Sequence, residues 1–175
     1  MSAGSQAIAQ FSARTSEQLS WIVERACVAL MILLILDVWL GVVARYLIPL
    51  PITFTEEAAR YLMIWMALLA VSVGISKREH IGVEFIFDML PKNMRRWVLL
   101  ILDVIAFVFF LVLFIYGIDM VARGTKSYTM IFGVNKSLPF AAVPTAALIC
   151  CIQLVLVAIR DQLYFDKNTH SKPGL

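Results

Sequence analysis

The sequence predicts an all-α integral membrane protein with four antiparallel transmembrane helices plus interfacial amphipathic helices. Three observations carry that prediction. The chain of 175 residues is 61% hydrophobic and 15% charged, against about 25% charged residues in a soluble domain. Its apolar residues gather into four blocks, each long enough to cross a hydrocarbon core of roughly 30 Å. The connections between the blocks are short and hold most of the charges, and prolines stop the chain in two of them.

The first 20 residues are polar but patterned. Ile8, Phe11, Thr15, Leu19 and Ile22 follow a helical spacing, which predicts a short surface helix over 1–20. This stretch does not resemble a signal peptide, because the apolar run comes late, is too long and lacks a small-residue cleavage site. The first span is expected over 21–46. Trp21 and Tyr46 sit where interfacial aromatics belong, and Asp37 alone breaks the uncharged interior. Pro49 and Pro51 bar helix continuation, and the connection is too short to cross back, so the second span is antiparallel to the first.

The second span is expected over 54–76, which is about 35 Å of helix at 1.5 Å per residue. Thr53 and Glu56 fit a capping box, and Glu56 and Glu57 suit the positive end of the helix dipole. Arg60 is spaced to pair with either carboxylate. After Lys77 and Arg78, Ile81, Phe85 and Met89 share one helical face, and Pro91 ends the run. A second interfacial helix is therefore expected over 80–90.

The third span is expected over 97–122. Near its end Asp119 precedes Arg123 by four residues, the spacing of a helical ion pair. Gly124 to Ser137 is a polar connection whose Tyr128, Met130, Ile131 and Phe132 are placed to enter the interface or meet a partner. The fourth span is expected over 138–159 and carries no charge. Pro139 suits a helix start, and Pro144 bends the first turns unless the helix begins there. Residues 160–175 form a polar tail, and the whole chain is one membrane domain.

Orientation follows from the basic residues. Ten of the 15 Lys and Arg fall on the side of the two termini and the 77–96 connection. The positive-inside rule then places both termini in the cytoplasm.

Several function classes are disfavoured. A net charge of +3 does not point to nucleic acid. Cys27, Cys150 and Cys151 lie at or inside apolar blocks and read as small helix residues. The only histidines, His80 and His170, are not mid-span, which disfavours a haem bundle. Neither a phosphate loop nor zinc spacing nor a nucleophile motif is present, so no catalytic or metal residue is assigned and no enzyme is expected.

Charges inside spans are costly, so Asp37 and Asp103 are candidate intramembrane polar contacts. They sit at different depths and do not form a carboxylate pair. Asp37 is expected to bond to another helix of this chain or of a partner, or else to serve as a proton or substrate site. Glu56, Glu57, Arg60 and Trp65 are candidates for a partner interface at the outer end of the second span. Lys77, Arg78, Arg95 and Arg96 are candidates for phospholipid headgroup contact.

The stretch EEAARYLMIWMALLAVSVGISKREHIGVEFIFDMLP resembles the signature of the small membrane (Q) subunit of TRAP transporters, the tripartite ATP-independent periplasmic uptake systems. The features that carry the likeness are the acidic pair, Arg60-Tyr61-Leu62, Trp65, Gly74, the basic turn, His80-Ile81 and Leu90-Pro91. Glu84 stands where many relatives have Asp. The resemblance implies a small scaffold or anchoring subunit of a sodium-coupled importer of carboxylate-bearing substrates, such as sialic acid or C4-dicarboxylates. It implies two protein partners, a large multi-span membrane subunit that binds substrate and sodium and a periplasmic substrate-binding protein. It also implies a bacterial inner-membrane location and no cofactor in this chain. Two other readings stay open: an autonomous four-helix secondary transporter using Asp37, and an anchoring subunit of another membrane complex.

Overall fold

The computed structural model describes residues 3–47, 54–77, 92–129, 133 and 135–170. They form helices α1 (Ala3–Tyr46), α2 (Phe54–Lys77), α3 (Lys92–Gly124), the single turn α4 (Ser137–Phe140) and α5 (Ala142–His170). Side chains of 3–9, 92, 93, 95, 96 and 163–170 lie outside the description. Four of the helices, all but α4, are long and apolar enough to cross a membrane.

The fold differs from expectation at its start. No break separates a surface helix from the first span, because α1 continues through residues 20 and 21 as one 44-residue helix. At 1.5 Å per residue it is about 66 Å long, roughly twice the hydrocarbon thickness. Packing explains the continuity. Ser12, Ser16 and Ser20 recur every four residues and are all buried, so a small-residue stripe keeps this segment docked on its neighbours. The predicted apolar face points the other way, with Phe11 and Ile22 exposed. The expected interfacial helix over 80–90, with His80 and Glu84, lies outside the described residues, as does the Thr53 cap.

Helix α5 is the hub. It packs on α1, α2 and α3, while α1 pairs further with α2. Small residues allow this: Ala142, Ala146, Ala147, Cys150 and Cys151 are buried along α5, and small side chains let backbones approach closely where lipid supplies no hydrophobic drive. Ile75 of α2 meets Cys150 and Leu154 of α5 in a small core, covered by Ala106, Phe107 and Phe110 of α3. Gly117 of α3 admits Pro144 of α5, since an added Cβ would lie 3.1 Å from the proline Cδ and N.

Pro144 falls in the first turn of α5, because the helix begins at Ala142, and there its missing N–H costs no helical bond. The described residues before α4 are tied together. Lys136 N donates to Ser127 O at 2.9 Å, and Tyr128 pairs with Asn135 across an isolated bridge. Gly133 takes φ 62°, the left-handed region that favours glycine. Asp119 and Arg123 form the ion pair that their spacing predicts.

The glycines yield a contrast that thermal unfolding in detergent can read. Gly117→Val should lower stability by about 1–3 kcal/mol through overpacking against Pro144. Gly74→Ala, where nothing among the described residues lies within 4 Å of the added Cβ, should be neutral or stabilise by up to about 1 kcal/mol.

Candidate functional site

Functional groups gather at the two ends of the bundle. One end, the turn end, holds the α1–α2 connection and the tied segment before α4. The other, the terminal end, holds the starts of α1 and α3 and the ends of α2 and α5.

At the turn end, α2 opens with Thr55 buried against α1, where Gly41 leaves it room. A Cβ on Gly41 would sit 3.0 Å from Thr55 Oγ1. Glu57, Tyr61 and Trp65 recur every four residues along one face and are each half-buried. The Tyr61 hydroxyl donates to Glu57 Oε1 at 2.5 Å, which fixes the carboxylate along the helix. Glu56 and Arg60 remain exposed. The structure therefore groups Glu57 with Tyr61 and Trp65, and presents Glu56 and Arg60 outward.

The two intramembrane acids stay apart, Asp37 on α1 and Asp103 on α3, helices that are not extensively packed on each other. Asp37 lies one turn before Gly41 and so shares the side of α1 that meets α2. Its Oδ2 is buried and takes no hydrogen bond among the described residues, so the expected bond to another helix of this chain is not made by that atom. Asp103 is half-buried.

The terminal end is more connected than the sequence indicates. Gln153 of α5 is fully buried and donates Nε2 to Ser16 O of α1 at 3.1 Å. Ser16 Oγ lies 3.4 Å from Ser76 Oγ of α2. Three helices are thus joined through polar atoms within one turn. Lys77 forms an ion pair with Glu24 of α1 at 2.5 Å, while Arg160 Nε meets Asp161 Oδ1 at 3.0 Å. The Arg25 guanidinium stands 3.8 Å from the centre of the Trp21 ring, in cation–π range. Arg78 lies outside the described residues, and Arg95 and Arg96 are placed only as backbone in the first turns of α3.

Sequence reasoning missed Gln153, Ser16 and Ser76 as a set. A repeat of serines at four-residue spacing on α1, facing Ser72 and Ser76 on α2, was the available signal. Chemically these groups hold helices in register, whereas Glu56 and Arg60 at the turn end are exposed.

The family model described as "Tripartite ATP-independent periplasmic transporters, DctQ component" matches residues 34–163, well over half of the chain. The chain belongs to the DctQ family. As a DctQ component it is a multi-pass small membrane subunit of a TRAP transporter. It is similar to the sialic acid TRAP transporter permease protein SiaT of Haemophilus influenzae, 22% identical over 65% of this chain and 18% of that protein. It is also similar to the isethionate TRAP transporter permease protein DctMQ of Oleidesulfovibrio alaskensis, 45% identical over 29% of this chain and 8% of that protein. The sialic acid TRAP transporter small permease protein SiaQ of Vibrio cholerae is 26% identical over 53% of this chain and 54% of its own length. The chain thus spans between 8% and 54% of these curated relatives.

The terminal-end bonds make a stability prediction. Gln153→Ala should cost about 1–3 kcal/mol, because it removes a buried hydrogen bond and opens a void. Gln153→Leu should cost less, since it fills the space and removes the carbonyl oxygen, which has no partner among the described residues. Paired thermal melts of the two variants read the difference.

Proposed function

We propose that this DctQ component is the small scaffold subunit of a sodium-coupled TRAP importer in the bacterial inner membrane. It anchors a large multi-span subunit that binds sodium and substrate, and a periplasmic substrate-binding protein delivers the substrate. The observation that carries this reading is the placement of apolar surface. The most apolar stretches of α1 and α3 have no buried residue, whereas half of the corresponding stretch of α5 is buried. Trp39 on α1 and Phe109 and Tyr116 on α3 are exposed at 66%, 59% and 71%. Two helices flanking one hub therefore offer broad apolar walls, one for the large subunit and one for lipid.

Two of the relatives support the same reading. In SiaT and DctMQ the similar stretch is a small share of a much longer chain, which fits a part that works joined to a larger membrane unit. Their names support a substrate class of small organic anions. One is named for a carboxylate, sialic acid, and one for a sulfonate, isethionate. Carboxylates such as sialic acid and C4-dicarboxylates lie inside the class proposed.

In this role both termini lie in the cytoplasm, so the turn end faces the periplasm. Glu56, Glu57, Arg60 and Trp65 then meet the large subunit or the binding protein. Asp37 and Asp103 supply polar contacts to the large subunit within the membrane. Arg78, Arg95 and Arg96 meet phospholipid headgroups.

A gentle-detergent pull-down of the tagged chain should bring a stoichiometric multi-span partner, and liposomes should take up substrate only when both subunits and the binding protein are present. Glu57→Lys and Arg60→Glu should each lower uptake most at low salt, where charge steers docking. Transport by this chain alone, abolished by Asp37→Asn, would instead establish the autonomous transporter.

A further inference from the structure

At the terminal end a cavity of about 440 Å³ opens between α1, α2 and the end of α5. Charged residues of three helices line it, Glu17 and Glu24 on α1, Lys77 on α2 and Arg160 on α5, and Trp21 stands on its wall. Tryptophan and charge together mark the place where a helix leaves the hydrocarbon core for the headgroups.

The lining has a specific chemistry. Two cations, Lys77 and Arg160, and two carboxylates, Glu17 and Glu24, face the same space, so the formal charges balance among the described residues. Three hydroxyls join them from Ser16, Ser20 and Ser76. Ser20 is more than nine-tenths buried, and its Oγ has no hydrogen-bond partner among the described residues. The cause is local. A helical serine ordinarily bonds back to the carbonyl four residues earlier, but that oxygen, Ser16 O, already takes the Gln153 amide. The Ser20 hydroxyl is left at the cavity as a buried donor without its usual acceptor.

We propose that this cavity binds the headgroup of a zwitterionic phospholipid carrying a primary ammonium, an ethanolamine phospholipid. The phosphate sits by Lys77, Arg160 and the Ser20 hydroxyl, and the ammonium by Glu17. A phosphate diester recruits cations and hydroxyl donors, and the balancing carboxylates remove the advantage of a headgroup with net negative charge. The choice of a primary over a quaternary ammonium follows from the walls. A quaternary ammonium needs aromatic faces, and the cavity's Trp21 ring already carries the Arg25 guanidinium. Glu17, an exposed carboxylate at the rim, instead accepts hydrogen bonds from N–H groups, which choline lacks. The exposed apolar residues beyond the rim, Ile22 and Val28 among them, offer a track for the acyl chains.

The inference stands apart from the scaffold role, because its readout is lipid retained on this chain's own mass. The full chain, purified with whatever subunits accompany it, is exchanged into nanodiscs holding equal ethanolamine, choline and glycerol phospholipids, and retained lipid is counted by native mass spectrometry. The ethanolamine lipid should be retained about tenfold over either competitor, the ratio that 1.4 kcal/mol gives. Glu17→Gln, at an exposed position, should bring ethanolamine and choline lipids to parity. Ser20→Ala should weaken retention of both against a wild-type melting profile. Equal retention of the glycerol lipid, an unchanged preference in Glu17→Gln, or no retained lipid at all would overturn the proposal. Displacement by free phosphoethanolamine at equal concentration would overturn the lipid source, since acyl chains would then add nothing.

Discussion

The close approach that α5 permits is the constraint on which the other helices depend. In water, apolar side chains drive helices together; in hydrocarbon they do not, and association rests on packing and polar bonds. The alanines and cysteines buried along α5 allow three helices to pack on one. Gly117 takes in the Pro144 ring from one side, and Gln153 reaches the α1 backbone from the other. Large residues along this line would separate the helices and remove both contacts together.

That arrangement also decides which surfaces remain for other molecules. Because α5 takes the centre, α1 and α3 stand on its flanks with their apolar stretches outward. A bundle organised around an internal ion site would turn its polar groups toward a shared interior. Here the described polar bonds lie toward the two ends, the half-buried Glu57–Tyr61 bond at one and the buried Gln153, Ser16 and Ser76 set at the other. In the proposed scaffold role the small subunit contributes width and fixed helix ends.

The fold class was legible because span length and hydropathy depend on composition alone. The Asp119–Arg123 pair was legible because its partners lie four residues apart on one helix. Pro144 left two outcomes open, and the helix start at Ala142 chose between them. The N-terminal segment is helical as expected, but its docked face was not legible, for a physical reason. Ile8, Phe11 and Leu19 advertise an apolar face, but the docked face is the serine stripe, and serine is silent about burial until its neighbours are known. The Lys77–Glu24 pair was equally hidden, since it joins residues 53 positions apart on two helices. For the candidate site, the sequence named Glu57 and Trp65 as candidates, and the structure adds the Tyr61 bond to Glu57. What offsets the burial of Asp37 lay beyond sequence reasoning, because a mid-span acid states a cost without naming a partner.

The position of the hub along the chain has a consequence for biogenesis. Helix α5 follows the other three spans in sequence, so it is also the last of the four to leave the ribosome. Until then α1 and α2 have each other, but among the described residues α3 has neither its α5 seam nor the α4 turn that packs at its end. During synthesis, a span rich in phenylalanine therefore precedes the helix it packs on. Assembly is sealed from the far end of the chain backward, and quality control that acts on half-built membrane proteins would meet this one with α3 as its loose piece.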